Sequence, residues 1–479
     1  MNRKLNEFKK MINGKRVAVM GVGISNRPLI RYIYELGAKI TAFDMLEAND
    51  PVLSRTRQEF EQDGIYLNWS VGPDYLENLR GFDIVFRTPK MRFDVPQLLA
   101  ERSRGAVITS EMEVFMELCP ARIWAVTGSD GKTTTTTLIS MMLEKAGWRV
   151  HLGGNIGTPL LDRIDSVRPD DAVVLELSSF QLMSMRKSPD IAVVTNISPN
   201  HLDVHTDYQE YIDAKKNIYL YQPFDGDLIL NADNYETSVL SSEARGFVHW
   251  FSRKNSSAEP GAVLHNGWLC WRENGLIETI MHQDDIVIPG RHNVENYLAA
   301  ITAVWSYVNP AAIIDVATTF GGVEHRMELV RELDGIRYYN SSIDTSPSRS
   351  KAALRALADR SEHAVLIMGG QDKKCDYTGL GRKILQVCDR LILCGSNSDL
   401  ILENLKQEAE EAGHDLAEMT IINCDTYEEA VSQAQNLAKS GEVVVLTPAG
   451  TSFDAFRHFE ERGRLFKKLV KDLVSQTVD

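Results

Sequence analysis

Residues 123–146 read IWAVTGSDGKTTTTTLISMMLEKA, and this stretch decides the fold. It opens on an apolar, β-leaning run (residues 123–127) and turns through Gly128-Ser129-Asp130-Gly131. Lys132-Thr133-Thr134 then start a helix whose Leu138, Ile139, Met142 and Leu143 fall at helical spacing. A strand that feeds a glycine turn into a helix start gathers backbone N–H groups at the positive end of the helix dipole, a seat for phosphate. Lys132 adds a mobile cation for the outer phosphates, and Thr133 a hydroxyl suited to Mg²⁺. Val126 stands where the first glycine of GxxxxGK[ST] falls, so the match is the shorter GxxGK[ST]. Its bland alternative is a glycine turn capping an ordinary helix. The strand before it, the helix after it and the two hydroxyls favour phosphate.

The chain of 479 residues is long enough for about three domains, each with its own core. Its 43% hydrophobic and 25% charged residues describe an ordinary globular protein. With 52 Lys and Arg against 66 Asp and Glu, the net charge of −14 argues against nonspecific nucleic-acid binding and against an anionic membrane surface. Positive charge for a phosphate ligand must therefore be concentrated locally. The opening MNRKLNEFKKM is charged and amphipathic, without the apolar core of a signal peptide, and no apolar run approaches the length of a membrane span. The six cysteines show no CxxC or zinc spacing, and Cys388 and Cys394 read as small core residues. A reducing cytoplasm is the expected location.

Upstream, residues 15–20 read as a strand, followed by Gly21-Val22-Gly23-Ile24-Ser25-Asn26, a helix over 27–36 and a second strand over 39–44. This is a Rossmann-like opening in which Asn26 replaces the third glycine needed for close helix–strand packing. Asp44 stands where an acid meets a ribose-like hydroxyl, or simply closes a strand-end turn. A nucleotide other than a nicotinamide dinucleotide is expected at this crevice. Strands are expected near 83–87 and 106–109, and a domain boundary near 111–120. Beyond the phosphate loop, strands near 149–152, 172–178 and 191–197 alternate with helices, which predicts a parallel sheet covered on both faces. Glu176 ends one strand, where a carboxylate can meet a nucleotide's magnesium or remain a solvated loop acid. His201, in NHLD after another strand, reads either as a ligand or as a packing histidine.

A helix is predicted over 206–222 with Thr206 as its N-cap, and its adjacent Lys215 and Lys216 default to the surface. Residues 223–290 predict short strands and turns, with a hairpin at Asn266-Gly267. A glycine turn then opens a helix that Asn309-Pro310 breaks, and Gly321-Gly322 suggests a hinge. Asp334-Gly335 marks a hairpin, and strands near 364–368, 390–394, 420–422 and 443–447 alternate with helices in a last doubly wound domain.

The combination GSDGKTT, LELSSFQL, NHLD, DAKKNIY, PGRHNVEN, EHRME and TPAGTSFDAFRHFEERG resembles the Mur ligases of peptidoglycan synthesis over almost the whole chain. The resemblance implies an α/β protein of three domains: a Rossmann-like domain for a UDP-linked substrate (1–111), a central P-loop-type ATPase domain with a mostly parallel sheet (112–322) and a Rossmann-like domain for the amino acid (323–479). It implies ATP-driven amide synthesis through an acyl phosphate, in the cytoplasm, by a monomer. ELSSFQL favours the branch that adds D-glutamate to UDP-N-acetylmuramoyl-L-alanine. Gly128, Ser129, Asp130, Gly131, Lys132, Thr133 and Thr134 would hold the triphosphate of ATP, and Thr133 with Glu176 the first of two Mg²⁺ ions. His201 and a carbamylated Lys215, preferred over Lys216, would hold the second. Lys132, Glu176, His201 and Lys215 form the implied catalytic set. Asn293 and Arg326 would contact the nucleotide, Arg326 arriving as the last domain closes. Ile24, Ser25, Asp44 and Asn155 would meet the UDP substrate, and Thr345, Lys373, Ser452 and Phe459 would form the D-glutamate pocket. The family usually carries Asn-Asp-Ser after the hairpin, its Asp reaching the ATP ribose. This chain has Asn340-Ser341-Ser342-Ile343-Asp344, so Asp344 is the candidate for that contact.

Two other classes compete. A nicotinamide-dependent oxidoreductase would leave the phosphate loop unexplained and is disfavoured by Asn26. A non-catalytic nucleotide sensor would be expected to have lost one of Lys132, Glu176, His201 and Lys215.

Overall fold

The computed structural model describes residues 2–475 apart from 24, 90, 200–203, 289, 359–361 and 373–374. Ile24, His201 and Lys373 from the expected site therefore lie outside the described residues. Backbone contacts divide the chain into two units, one of residues 1–286 and 291–318, the other of residues 287–290 and 319–479.

The first unit carries two sheets. Strands β1 (Arg16–Met20), β2 (Lys39–Asp44), β3 (Asn68–Val71), β4 (Ile84–Phe86) and β5 (Val107–Thr109) form an all-parallel sheet in the order β3-β2-β1-β4-β5. The second sheet contains β6 (Arg122–Thr127), β7 (Val150–Gly154), β8 (Ala172–Glu176), β9 (Ile191–Val194), β10 (Asp227–Asn231), β11 (Phe247–Ser252), β12 (Gly261–His265), β13 (Trp268–Glu273) and β14 (Leu276–His282). Its order is β14-β13-β12-β11-β10-β9-β6-β8-β7, parallel from β7 to β12 and antiparallel over β13 and β14. The strands of its parallel part are continuous apolar runs, as burial on both faces requires: β8 and β9 are buried throughout. The Asn266-Gly267 hairpin is present as a two-residue turn with both residues at positive φ, 51° and 84°. Asn274-Gly275 makes a second of the same kind.

Strand order places the site. From β6 the chain runs outward to β7 and β8 on one side, then crosses to β9 on the other. The carboxyl end of β6 is thus a topological switch point, and the helix Lys132–Lys145 leaves from it. One apolar cluster joins the two sheets, from Val17, Ile30 and Phe86 through Met112 and Phe115 to Ile123, Val173 and Leu228.

The helix predicted over 206–222 is shorter, Tyr208–Lys216, and its cap is Asp207, whose carboxylate accepts from Glu210 N at 2.8 Å. Thr206 lies one residue outside. The helix stops because the Asn217 carbonyl is taken by the Ser188 hydroxyl (3.0 Å) and the Asn217 amide reaches back to Leu182 O (2.9 Å).

The second unit holds β15 (Glu328–Leu333), β16 (Ile336–Asn340), β17 (Ala364–Met368), β18 (Cys388–Leu393), β19 (Thr420–Asn423) and β20 (Val443–Leu446). Their order is β15-β16-β20-β17-β18-β19, parallel except for the edge hairpin β15–β16 at Asp334-Gly335. Cys388 and Cys394 are buried in its core.

Candidate active site

The turn after β6 is held by the loop after β9. Ser129 N donates to Asn196 O (2.8 Å), Asp130 N to Asn196 Oδ1 (2.9 Å), and the Thr195 hydroxyl to Asp130 O (2.6 Å). Gly128 and Gly131 sit at φ 150° and 79°, and a Cβ would run into Thr195 Oγ1 at the first and Asn296 Oδ1 at the second. Glycine is needed at both. Lys132 Nζ curls back onto Gly128 O and Ser129 O, each at 3.0 Å. Asn293, on the helix Arg291–Val304, accepts from Asn296 Nδ2 at 3.1 Å beside this turn.

Two predicted residues converge on the same turn. Lys215 is 2% exposed, donates to Gly128 O at 2.8 Å and lies 4.5 Å from the centre of the Tyr211 ring. Burial, and then repulsion from Lys132, push its ammonium well below the usual lysine range. Lys216, its sequence neighbour, instead pairs with Glu243 at 2.8 Å, which separates the two lysines that the sequence left adjacent. Glu176 is 1% exposed at the end of β8, where its Oε1 accepts from Asn155 Nδ2 at 2.7 Å. Its Oε2 is buried with no hydrogen-bond partner among the described residues. An unsatisfied buried acceptor costs about 1–3 kcal/mol, and a carboxylate oxygen can be satisfied only by a donor or a cation. A free carboxylate oxygen at this strand end suits a hard divalent cation.

A cavity of about 260 Å³ opens beside Asn155, lined by Ser25, Asn26, Arg87, Glu111 and Gln181 among others. Asn26 is buried, and its amide donates to Met20 O and Gly21 O, both at 2.9 Å. The side chain that breaks the dinucleotide fingerprint thus ties the helix start to the strand end. Asp44 accepts from Val22 N (2.9 Å) and Leu46 N (3.1 Å), so it holds the glycine turn as well as ending the strand. Glu111 is buried, and its carboxyl is pushed up to about 7, chiefly by burial.

In the second unit, Asp344 is buried, takes the Thr447 hydroxyl at 2.9 Å and hydrogen-bonds the Ser341 hydroxyl. Burial raises its pKa, and Arg326 opposes the rise. Asp344 therefore lies against the position where an acid was expected. Thr345 follows it. Ser452 and Phe459 stand on the facing loop and at the start of the helix Phe459–Asp472.

Family models match over two stretches: the Mur ligase middle domain over residues 126–304, and the Mur ligase glutamate ligase domain over residues 325–450. The UDP-N-acetylmuramoylalanine–D-glutamate ligases of Acetivibrio thermocellus and Ruminiclostridium cellulolyticum are 52% and 50% identical to the chain, across 99% of it and 100% of theirs. The chain belongs to the Mur ligase family. The enzyme of the same name from Clostridium perfringens is 45% identical over the same shares. Among solved structures, the UDP-N-acetylmuramate–alanine ligase of Thermotoga maritima covers 95% of the chain and 99% of its own at a TM-score of 0.55 and 18% identity, a likeness of fold.

Sequence reasoning missed several residues of this Mur ligase. Arg462 is fully buried, and its guanidinium donates to Ser342 Oγ (3.0 Å), Ser342 O (2.9 Å), Thr451 O (3.1 Å) and Gly450 O (3.2 Å). It pins the two loops that carry Thr345 and Ser452. Arg87 is buried on the cavity wall, donating to Met91 O (3.0 Å), Phe180 O (3.4 Å) and Ser184 Oγ. FRTP and EERG look like surface charge in one dimension, and no local pattern marks either arginine as buried.

Proposed function

We propose that the protein adds D-glutamate to UDP-N-acetylmuramoyl-L-alanine at the expense of ATP, as a cytoplasmic monomer in peptidoglycan precursor synthesis. The substrate carboxylate attacks the γ-phosphorus of ATP, giving an acyl phosphate and ADP. The D-glutamate amine then attacks the acyl carbon, loses a proton and expels inorganic phosphate. Both steps bring anions together, so fixed donors and cations carry the catalysis.

Lys132 and the N–H groups of residues 131–134 meet the polyphosphate, while Ser129 and Asp130, whose N–H groups are held by Asn196, shape the turn around it. Asn155 orients the sugar–peptide end of the acceptor, Ser25 with Ile24 and Asp44 its uridine diphosphate, and Thr345, Lys373, Ser452 and Phe459 the incoming amino acid. Asn293, Arg326 and Asp344 meet the nucleoside. Two Mg²⁺ ions, when bound, neutralise phosphate charge; Thr133 and Glu176 would hold one, His201 and Lys215 the other. The three-domain partition at 1–111, 112–322 and 323–479 belongs to the same reading.

The observation that carries the reading is the buried Lys215. An ammonium ion cannot capture CO₂, but a neutral amine can. Its nitrogen forms a bond to carbon and loses a proton, and the lysine becomes a carboxylate. Desolvation holds Lys215 toward that neutral form at the phosphate turn. Among the described residues, no helix is long and apolar enough to cross a membrane.

Phosphate release with UDP-N-acetylmuramoyl-L-alanine, D-glutamate and Mg-ATP, omitting each in turn, tests the function. Release should require all three. A panel of amino acids should respond to D-glutamate alone; turnover with L-lysine or meso-diaminopimelate in its place would overturn the assignment.

A further inference from the structure

The segment leaving β4 carries two arginines, and both leave their own sheet to grip the neighbouring one. Arg87 reaches Phe180, within the short helix Ser179–Leu182, and Ser184 just past it. Arg92 reaches the helix Tyr208–Lys216. Its Nη1 and Nη2 meet the two oxygens of Glu210 at 3.0 and 2.8 Å, a bidentate pair. Nη1 also meets Val204 O (3.3 Å), and Nε and Nη2 meet Asp94 (2.9 and 2.7 Å). Every guanidinium nitrogen is used. The Arg92 side chain is 25% exposed and that of Glu210 24%, so the pair is only partly screened by water.

Glu210 has further partners. It accepts from Thr206 N at 2.7 Å and faces His205 Nδ1 at 3.4 Å. The His205 ring stacks on Phe180 (centroids 5.3 Å apart, 9° between planes) and meets the Tyr211 ring edge-on at 5.3 Å. Tyr211 in turn shares a 2.9 Å hydrogen bond with Ser129 in the phosphate turn and lies under Lys215 Nζ. A continuous set of contacts thus runs from the strand-end segment that walls the acceptor cavity to the lysine at the phosphate turn. Tyr211 and Lys215 are four residues apart, on one helix face, so a rotation of this helix moves both together.

We propose that Arg92 is a positioning residue for Lys215. Through the bidentate bond to Glu210, it sets the rotation of the Tyr208–Lys216 helix and so places the Lys215 amine where its carbamate forms and persists. This rests on the ligase reading above and adds a specific task for a residue of the substrate-binding sheet. A solvated ornament would not use all three guanidinium nitrogens across two sheets.

The test compares wild type with Arg92→Ala, Glu210→Gln, the double variant and Arg92→Lys. Each is measured for phosphate release, thermal midpoint and the ¹³C NMR carbamate signal in ¹³C-bicarbonate. Arg92→Ala should lower kcat about tenfold or more, the range for lost outer-shell support of a ligand residue, with KM for ATP changed far less. The carbamate signal per folded molecule should fall with it, and excess bicarbonate should restore part of both. Glu210→Gln should behave alike and the double variant no worse than either single one, because one link is broken in each. Arg92→Lys should recover only part, since a lysine cannot make the bidentate bond.

The proposal is overturned if Arg92→Ala keeps its kcat and carbamate signal. It is equally overturned if activity falls only with the folded fraction while the signal per folded molecule stays whole, which would make the clamp a plain stabiliser. A wild type without any carbamate signal overturns it whatever the activity. A wild type with the signal but no phosphate release would instead sink the ligase reading, and the clamp would be judged on the signal alone.

Discussion

Two glycine turns follow parallel strands in the first unit, and they are wired with opposite charge. After β1, the turn at Gly21–Gly23 spends its groups on itself: Val22 N goes to the Asp44 carboxylate, and Met20 O and Gly21 O go to the Asn26 amide. Its cavity also contains the buried carboxyl of Glu111. After β6, the single carbonyl of Gly128 receives both Lys132 and Lys215. Only the second turn can pay the electrostatic cost of a triphosphate. The first is suited to a ligand of lower charge, met largely through hydroxyls and amides. A glycine pattern alone therefore identifies a turn; what the neighbouring side chains leave unspent identifies the ligand.

The comparison breaks most sharply at Lys132. Lys132→Ala should reduce kcat for phosphate release by about 10³-fold while circular dichroism stays that of wild type; retained turnover would mean that the second turn does not carry the phosphates. A smaller effect is expected at the first turn. Asp44→Ala strands two backbone N–H groups and should cost about 1–3 kcal/mol in denaturant unfolding, with KM for the UDP substrate raised more than kcat is lowered. The smallest concerns Glu111, whose carboxyl titrates near 7 when folded against an ordinary 4.5. The folded state holds this proton more tightly than the unfolded state, so the stability it adds is full below about pH 4.5 and is lost as pH rises through about 7. Glu111→Gln should flatten that part of the stability–pH curve. An unchanged slope would show that the acid in this cavity is better solvated than its burial implies.

The fold was largely legible because strands, turns and glycine loops are local. The three sheets, the phosphate turn, and the hairpins at Asn266-Gly267 and Asp334-Gly335 all follow from spacing and turn chemistry. Asn274-Gly275 carried the same signal and was passed over. Of the candidate site, what lies at strand ends was legible, as with the position of Glu176 at the end of β8. The site was not legible where contact depends on distant segments. Arg92 and Glu210 lie 118 residues apart, and so no local pattern marks either. The depth of Lys215 was hidden for a related reason: helical spacing suggested a solvated face, and only tertiary packing turned that face onto Gly128.

The apolar cluster shared by the first two sheets has a consequence for engineering. Met112, Phe115 and Leu118 pack in the same core as both Ile30 and Ile123, so a cut between the sheets would lay greasy surface bare on each half. The first sheet is thus no detachable cassette. Exchanging it between relatives would require transplanting the Glu111–Leu118 helix and its partners on both sides, and chimaeras joined anywhere nearer should aggregate when expressed.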